Sequence, residues 1–307
     1  MNTNHNNDKI FNGLHVAVAT PITEACQVDQ QLLQSHCKWL LEQHCDGLCF
    51  FGTTGEGTSL SLAQRIKTLQ SLLAANIPPS VITVGCGVSA VDEGVTLLQQ
   101  ALALNCTKTL ALPPFFFKTP TDDGLLRFYS ELIERIADDR LQLLLYNIPA
   151  LSGISLSYSL IEQLTERYPQ TVIGVKDSSG NWGYTQGLLT QFPQLSLLVG
   201  VENHLPRAID AGAAGTISGL SNISPRLVEA LLGRYGENTQ MASLSAVNTL
   251  IELVLSYPLI PAIKGLIAYA HNNPAWRRTL APLITLTDAQ QSALLHAAGP
   301  ALAERLN

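Results

Sequence analysis

A lysine and a tyrosine each close an apolar run that is typical of a buried strand. Lys176 follows the run VIGV, and Tyr146 ends the run LQLLLY. Apolar surroundings favour the neutral amine of a lysine, which attacks a carbonyl carbon to form a Schiff base. A phenol beside such an amine can carry protons to and from the reacting atoms. If the two strands are neighbours, the pair predicts imine chemistry. A lysine that extends to solvent and a tyrosine at a rim are the alternatives.

Two other polar features lie at predicted strand ends. The segment Gly52-Thr53-Thr54-Gly55 offers two hydroxyls and closely spaced backbone N–H groups ahead of a helix, a pattern that can hold a small carboxylate. It lacks the third glycine of a dinucleotide loop and the Gly-Lys pair of a P-loop, so an ordinary strand-to-helix turn is the alternative. Asp177 is predicted to point away from the interior and to accept hydrogen bonds from the turn that follows it.

Neither a metal motif nor a second nucleophile motif is readable in the sequence. The six cysteines form no C-x-x-C pair, which predicts reduced, mostly buried thiols. No G-x-S-x-G elbow is present. Five histidines have no His, Asp or Glu partner at ligand spacing and are predicted to be structural; they are His15, His36, His44, His204 and His271.

Short apolar runs alternate with helix-length amphipathic segments from Leu14 onward. Eight such units recur at a period of roughly 25 to 30 residues, and several strands are continuously apolar, as a parallel sheet covered on both faces requires. The pattern predicts an α/β fold, a closed (β/α)8 TIM barrel with a C-terminal helical extension, and places the chemistry at the carboxyl ends of the strands. The predicted strands are 14–20, 47–51, 81–85, 109–112, 141–146, 171–176, 195–199 and 214–218, and the clearest predicted helices are 30–44, 63–75, 91–104 and 124–137.

Composition restricts the class of protein. Of the 307 residues 46% are hydrophobic and 14% are charged, the reverse of a disordered chain. The net charge of -6 and the lack of a basic cluster argue against a nucleic-acid partner. No apolar run is long enough to span a membrane and no signal-peptide pattern is present, so we expect a cytoplasmic protein. We predict a flexible tail over 1–12, a barrel over 13–236 and a helical extension over 237–307.

The strand ends taken together resemble a known family. It is the superfamily of pyruvate-dependent class I aldolases and lyases that includes dihydrodipicolinate synthase and N-acetylneuraminate lyase. The resemblance covers nearly the whole chain, in order and with matching spacing. The matching segments are Thr20-Pro21, GTTGE at 52–56, YNIPALSG at 146–153, GVKDSSG at 174–180, AGAAGTISGLSN at 211–222 and Pro261-x-x-Lys264.

The resemblance implies a homotetrameric enzyme that binds pyruvate, or a 2-oxo acid that yields it, as an imine on Lys176. Tyr146 would transfer protons and orient the carbonyl. Thr53 and Thr54 would hold the pyruvate carboxylate, and the backbone carbonyl of Ile217 would line the imine pocket. No dissociable cofactor and no metal are expected, because the protonated imine is itself the electron sink. The expected partners are pyruvate and an aldehyde or 2-oxo acid.

Two positions depart from dihydrodipicolinate synthases. The resemblance implies an arginine where this chain has Leu151, as the anchor for the carboxylate of the aldehyde substrate, and a tyrosine from a neighbouring subunit where it has Phe116. Loss of a bidentate carboxylate anchor costs a few kcal/mol. YNIPALSG instead resembles sialic acid lyases, and GTTGEG resembles 2-keto-3-deoxy sugar acid aldolases. Of the acidic pair of the sialic acid lyases Glu202 is present, but Asn203 follows it.

The principal hypothesis is therefore a Schiff-base-forming pyruvate aldolase or lyase that acts on a 2-keto-3-deoxy sugar acid or a related hydroxylated 2-oxo acid. Glu202 would contact the substrate hydroxyls. The enzymatic alternatives are 4-hydroxy-tetrahydrodipicolinate synthase, which condenses pyruvate with aspartate semialdehyde, and a dehydratase that uses the same imine. A non-catalytic 2-oxo-acid-binding regulatory protein is the alternative from another class.

Overall fold

The computed structural model describes residues 9–303, with side chains through residue 299. Eight parallel strands close into one barrel in chain order. The predicted TIM barrel is therefore confirmed, and the observed strand bounds differ from the predicted ones by at most one residue except at the end of β1. The strands are β1 (Gly13–Ala17), β2 (Gly47–Phe50), β3 (Ile82–Cys86), β4 (Lys108–Ala111), β5 (Gln142–Asn147), β6 (Val172–Asp177), β7 (Ser196–Val199) and β8 (Gly215–Ser218).

Helices follow the strands in the predicted alternation, and many begin at a polar N-cap. In five of them the side chain of the cap residue accepts a hydrogen bond from the backbone N–H three residues later; the caps are Asp29, Ser61, Thr121, Ser157 and Asn181. The helices are α1 (Gln30–Glu42), α2 (Leu62–Ala74), α3 (Val91–Ala103), α4 (Asp122–Ile136), α5 (Pro149–Ser152), α6 (Tyr158–Arg167), α7 (Trp182–Gln191), α8 (Leu205–Asp210), α9 (Pro225–Ala230), α10 (Glu237–Leu255), α11 (Leu259–Ala270) and α12 (Asp288–Ala303).

The strands bury both of their faces, which is why they read as continuous apolar runs. The larger apolar core lies between the strands and the helices. A smaller cluster joins Phe11 and residues of seven strands, among them Cys49, Leu110, Leu144, Leu198 and Ile217. The backbone N–H of Phe11 donates to Ser196 Oγ at the amino end of β7, over 3.3 Å. Phe11 thus closes the end of the barrel opposite the predicted site.

Residues 9–12 of the predicted tail pack against the barrel. Phe11 is fully buried, and Lys9 Nζ donates to the carbonyl oxygen of Gly212 at 3.0 Å. The prediction rested on the polar composition of the first twelve residues, in which one aromatic side chain is enough to dock the segment into the barrel. Residues 1–8 of the predicted tail lie outside the described residues.

The predicted helical extension contains α10, α11 and α12, and the middle of α11, residues 261–268, is buried. Its apolar run includes the fully buried Lys264, and Trp276 after it is also fully buried. In residues 9–303 no single helix is long and apolar enough to cross a membrane. The consecutive helices α10 and α11 reach the necessary length and apolar composition only when taken together, and the chain bends by 118° between them.

Candidate active site

Lys176 and Tyr146 lie side by side at the carboxyl ends of β6 and β5. The two residues are directly paired in the parallel ladder, so their side chains emerge at the same level. Lys176 Nζ donates to the Tyr146 hydroxyl at 3.3 Å and stands 4.4 Å from the centre of its ring. Each residue is only 5% exposed. The predicted contact is therefore present, and the amine is held beside a phenol in nearly dry surroundings.

A bulge in β6 adjusts this strand below the lysine. The ladder to β5 shifts register between Leu143 and Leu144, which leaves Ile173 as the extra residue. Ile173 packs into the cluster inside the barrel. Gly174 is placed against β7 so closely that a Cβ atom there would overlap the Ser196 carbonyl oxygen. Gly174, two residues before the lysine, thus allows β6 and β7 to approach each other closely beneath the amine.

Thr53 completes a row of three polar groups. Its hydroxyl shares a hydrogen bond of 3.4 Å with the Tyr146 hydroxyl. Thr53 belongs to the segment from Gly52 to Gly57, which we call the β2 loop. The backbone N–H of Gly57 donates to the Gly52 carbonyl at 3.1 Å, an approach that a side chain at Gly57 would block by overlap with Phe51. The loop is thereby closed on itself above the barrel.

A buried ion pair fastens the β2 loop to the C-terminal helices. Lys264 Nζ lies 2.5 Å from Glu56 Oε1 and also donates to the Thr20 carbonyl oxygen at 2.9 Å. Glu56 Oε2 accepts the backbone N–H of Leu280 at 2.6 Å. Burial lowers the pKa of Lys264 below its ordinary value, and the carboxylate opposes that shift. The pair therefore holds the loop that carries Thr53 and Thr54 in one position.

Thr54 and Ile217 lie close to the same strand end. Thr54 is buried, and a Cβ atom at Gly219, just after β8, would come within 3.2 Å of its hydroxyl. Ile217 is fully buried in the cluster that includes Tyr146. The structure thus gathers Thr53, Thr54 and Ile217 around the carboxyl ends of β2, β5 and β8.

Glu202 and Asp177 are both tied to backbone turns. Glu202 Oε1 accepts the hydroxyl of Ser218 at 2.7 Å and the backbone N–H of Leu220 at 3.4 Å. Asp177 accepts Asn147 Nδ2 at 2.9 Å and the hydroxyl of Thr185 at 2.7 Å. The prediction that Asp177 fixes the following turn is confirmed by its bond from the N–H of Ser179. Glu202 fixes the turn after β8 in the same manner.

A cavity of about 260 Å³ adjoins the Tyr146 and Thr53 hydroxyls. Its walls come from the loops after β2 to β5 and, in addition, from the C-terminal segment. The wall residues include Leu110, Leu112, Ile148, Leu151, Ile260 and Leu283. The sequence predicted the polar residues at the bottom of the site, Lys176, Tyr146 and Thr53, which we call the floor. It did not predict that Ile260 and Leu283 line the cavity, nor that Lys264 pairs with Glu56. A lysine inside the apolar run of α11 was the signal for a buried partner.

Other reactive groups near the site are held inactive. Cys49 lies in the same interior cluster as Tyr146, and burial raises its pKa to about 11 against an opposing effect of Lys176. Its thiol is thus protonated at neutral pH, while the nucleophile is the thiolate. Across the described part of the chain, no three His, Cys, Asp or Glu side chains converge as metal ligands.

The sequence model of the dihydrodipicolinate synthetase family matches residues 10–298 of the chain. The chain belongs to this family. Its members are lyases, and this protein is accordingly a lyase of the aldolase type. An uncharacterized DapA-like lyase of Chloroflexus aurantiacus is 31% identical over 284 residues, which cover 92% of this chain and 94% of the relative.

Two solved structures share the fold of this lyase. Dihydrodipicolinate synthase from Agrobacterium tumefaciens has a TM-score of 0.88 and 32% identity, with 94% of this chain and 99% of that chain covered. YagE, a prophage protein of E. coli K12 solved in complex with pyruvate, has a TM-score of 0.87 and 21% identity, with 95% and 98% covered. The second likeness concerns the fold alone.

Proposed function

We propose that this lyase is a Schiff-base-forming pyruvate aldolase that acts on a 2-keto-3-deoxy sugar acid or a related hydroxylated 2-oxo acid. The observation that carries the proposal is the Lys176 amine, buried and 3.3 Å from the Tyr146 hydroxyl. The presence of pyruvate in the YagE complex supports the choice of 2-oxo acid. The bond of Thr53 to the same phenol gives the proton a route away from the amine.

The proposed reaction begins when Lys176 Nζ attacks C2 of the 2-oxo acid and water leaves, which gives a protonated imine. Tyr146 relays the proton of the C4 hydroxyl away from the substrate, and the same relay returns it to C3 after cleavage. The C3–C4 bond then breaks, its electron pair moves toward the imine nitrogen, and an aldehyde and an enamine form. Protonation of C3 and hydrolysis of the imine by water release pyruvate and restore the amine. No oxidant takes part, because every electron pair stays within the substrate and the lysine.

The carboxylate of pyruvate is assigned to the β2 loop. Thr53 and Thr54 supply hydroxyl and backbone N–H donors, which suit a carboxylate. Support comes from the rigidity of the loop, since the pair of Glu56 and Lys264 fixes it. The carbonyl of Ile217 is proposed to face the imine. Glu202 is proposed to act on substrate hydroxyls only through its second oxygen, because Oε1 is engaged by Ser218.

The second candidate is 4-hydroxy-tetrahydrodipicolinate synthase. The similarity to dihydrodipicolinate synthase from Agrobacterium tumefaciens favours it. Against it stands Leu151, which lies on the cavity wall and offers no cation for the carboxylate of aspartate semialdehyde. Phe116, at the position of the expected relay tyrosine, has no hydroxyl. The non-catalytic alternative would keep the pocket without turnover. The homotetramer and the cytoplasmic location stay predictions.

The test of the proposed function is reductive trapping. The full chain is incubated with pyruvate and borohydride, and the modified peptide is identified by mass spectrometry. We expect one adduct, on Lys176, that is lost in Lys176→Ala and kept in Lys38→Ala, a change at an exposed lysine of α1. An adduct that survives Lys176→Ala, or no adduct at all, contradicts the proposal. An adduct without aldehyde turnover supports the non-catalytic alternative.

A further inference from the structure

The residues that line the cavity above Tyr146 indicate which kind of aldehyde the site can bind. Pyruvate bound to Lys176, with its carboxylate at the β2 loop, would present C3 toward this cavity. The aldehyde that reacts with C3 must therefore lie inside it. This inference rests on the proposed Schiff-base aldolase function and, of the two substrate classes named there, favours the related hydroxylated 2-oxo acid over the sugar acid.

The walls are mostly apolar. Leu110 and Leu112 come from β4 and the loop after it, Ile148 and Leu151 from the segment after β5, and Ile260 and Leu283 from the C-terminal segment. Among the described residues that line the cavity, the one charged side chain is Glu56, and its two oxygens are bound by Lys264 and by the N–H of Leu280. The exposed residues Thr58 and Ser59 also line the cavity. Elsewhere the walls present mostly hydrocarbon and no free charge to a ligand.

The lysine at the rim is also engaged. Lys118 Nζ donates to the carbonyl oxygen of Phe115 at 2.7 Å and to that of Ser152 at 3.3 Å. These bonds join the segment after β4 to α5. The hydroxyl of Ser152, the polar group next to Leu151, donates to the carbonyls of Ile148 and Ile154. Lys118 and Ser152 are therefore both engaged within the protein.

A polyhydroxylated aldehyde would leave those of its hydroxyls that face the apolar walls without partners, which is unfavourable. An apolar chain gains roughly fourfold in binding for each methylene that it buries. The cavity of about 260 Å³ suits a substituent of several carbon atoms. We propose that the substrate is a 4-hydroxy-2-oxo acid with an alkyl or aryl group at C4, so that the aldehyde partner is apolar.

A series of aldehydes with equal reactivity tests this proposal in the direction of synthesis. Pyruvate is condensed with propanal, butanal, pentanal and hexanal, and with erythrose, which has the same carbon number as butanal. We expect kcat/KM to rise about fourfold per added methylene until the cavity is filled, and to favour butanal over erythrose. A flat or falling series, or a preference for erythrose or aspartate semialdehyde, overturns the inference.

Two neighbouring residues of α11 supply a matched pair of variants. Ile260→Asn places an amide on the cavity wall, whereas Leu259→Asn changes an exposed residue next to it. We expect Ile260→Asn to lower the ratio of kcat/KM for hexanal to kcat/KM for propanal at least fivefold. Leu259→Asn is expected to leave this ratio unchanged. Equal effects of the two variants contradict the inference. Trapping of pyruvate on Lys176 is measured in parallel: with trapping but no apolar preference only this inference fails, whereas without trapping the proposed function fails.

Discussion

Replacement of Lys264 by methionine tests how strongly the C-terminal helices hold the β2 loop. Methionine keeps the length and apolar character of the lysine stem and removes the ammonium group. Lys264 and Glu56 are fully buried side chains, so the variant leaves the Glu56 carboxylate without its cation in the protein interior. Removal of one partner from a buried pair typically destabilises a protein by about 3–5 kcal/mol. The bond from Lys264 Nζ to the Thr20 carbonyl is lost as well.

The assay is equilibrium unfolding in urea, followed by circular dichroism, for the wild type and four variants. Arg278→Met is the matched control, because Arg278 also links the C-terminal segment to the barrel, through Glu24, but both side chains are exposed. That change is expected to cost less than about 1 kcal/mol. The double variant Glu56→Gln with Lys264→Met removes both charges of the buried pair. We expect it to cost less than the sum of its two single variants. If Lys264→Met lowers the free energy of unfolding no more than Arg278→Met does, the conclusion that the buried pair holds the β2 loop in place is refuted.

Two further predictions concern the phenol and a buried histidine. Tyr146→Phe is expected to lower kcat by about 10²- to 10⁴-fold while the pyruvate concentration for half-maximal trapping changes less than about tenfold; equal effects on both contradict a proton-transfer role. Burial, together with the positive charge of Lys108, lowers the pKa of His15 to about 4. Between pH 6.5 and about 4 only the unfolded state therefore gains a proton at this position. The free energy of unfolding is expected to fall in that window, by up to about 3 kcal/mol. The loss on acidification is expected to be smaller in His15→Gln, measured by urea unfolding at pH 7, 6 and 5, and an unchanged pH dependence contradicts the assignment.

The barrel was predictable from the sequence because each strand is an apolar run bounded by turn residues. The largest error lies at the end of β1, predicted to reach Thr20 and observed to end at Ala17. Val18 still donates to the Cys49 carbonyl at 2.9 Å, but the N–H of Ala19 goes to the side chain of Asn222. A side chain that follows β8 thus replaces a strand partner. Propensity and periodicity describe local structure and contain no information on such a distant contact.

The floor of the candidate site was predictable for a similar reason. Lys176 and Tyr146 end strands that are neighbours in any barrel with this chain order, so their proximity follows from topology. The walls were not predictable, because the position of Ile260 and Leu283 depends on how α11 and the segment after it pack across the barrel mouth. The amphipathic pattern of a helix shows which side is buried but not against which loop.

The ion pair between the β2 loop and α11 also has a consequence for synthesis on the ribosome. Glu56 and Lys264 are separated by 208 residues along the chain. At a translation rate of roughly 5–20 residues per second, Lys264 is synthesised about 10–40 s after Glu56. A nascent chain that ends after β8 would carry this carboxylate unpaired and would lack part of the cavity wall. The candidate site is therefore complete only after the C-terminal helices have been synthesised.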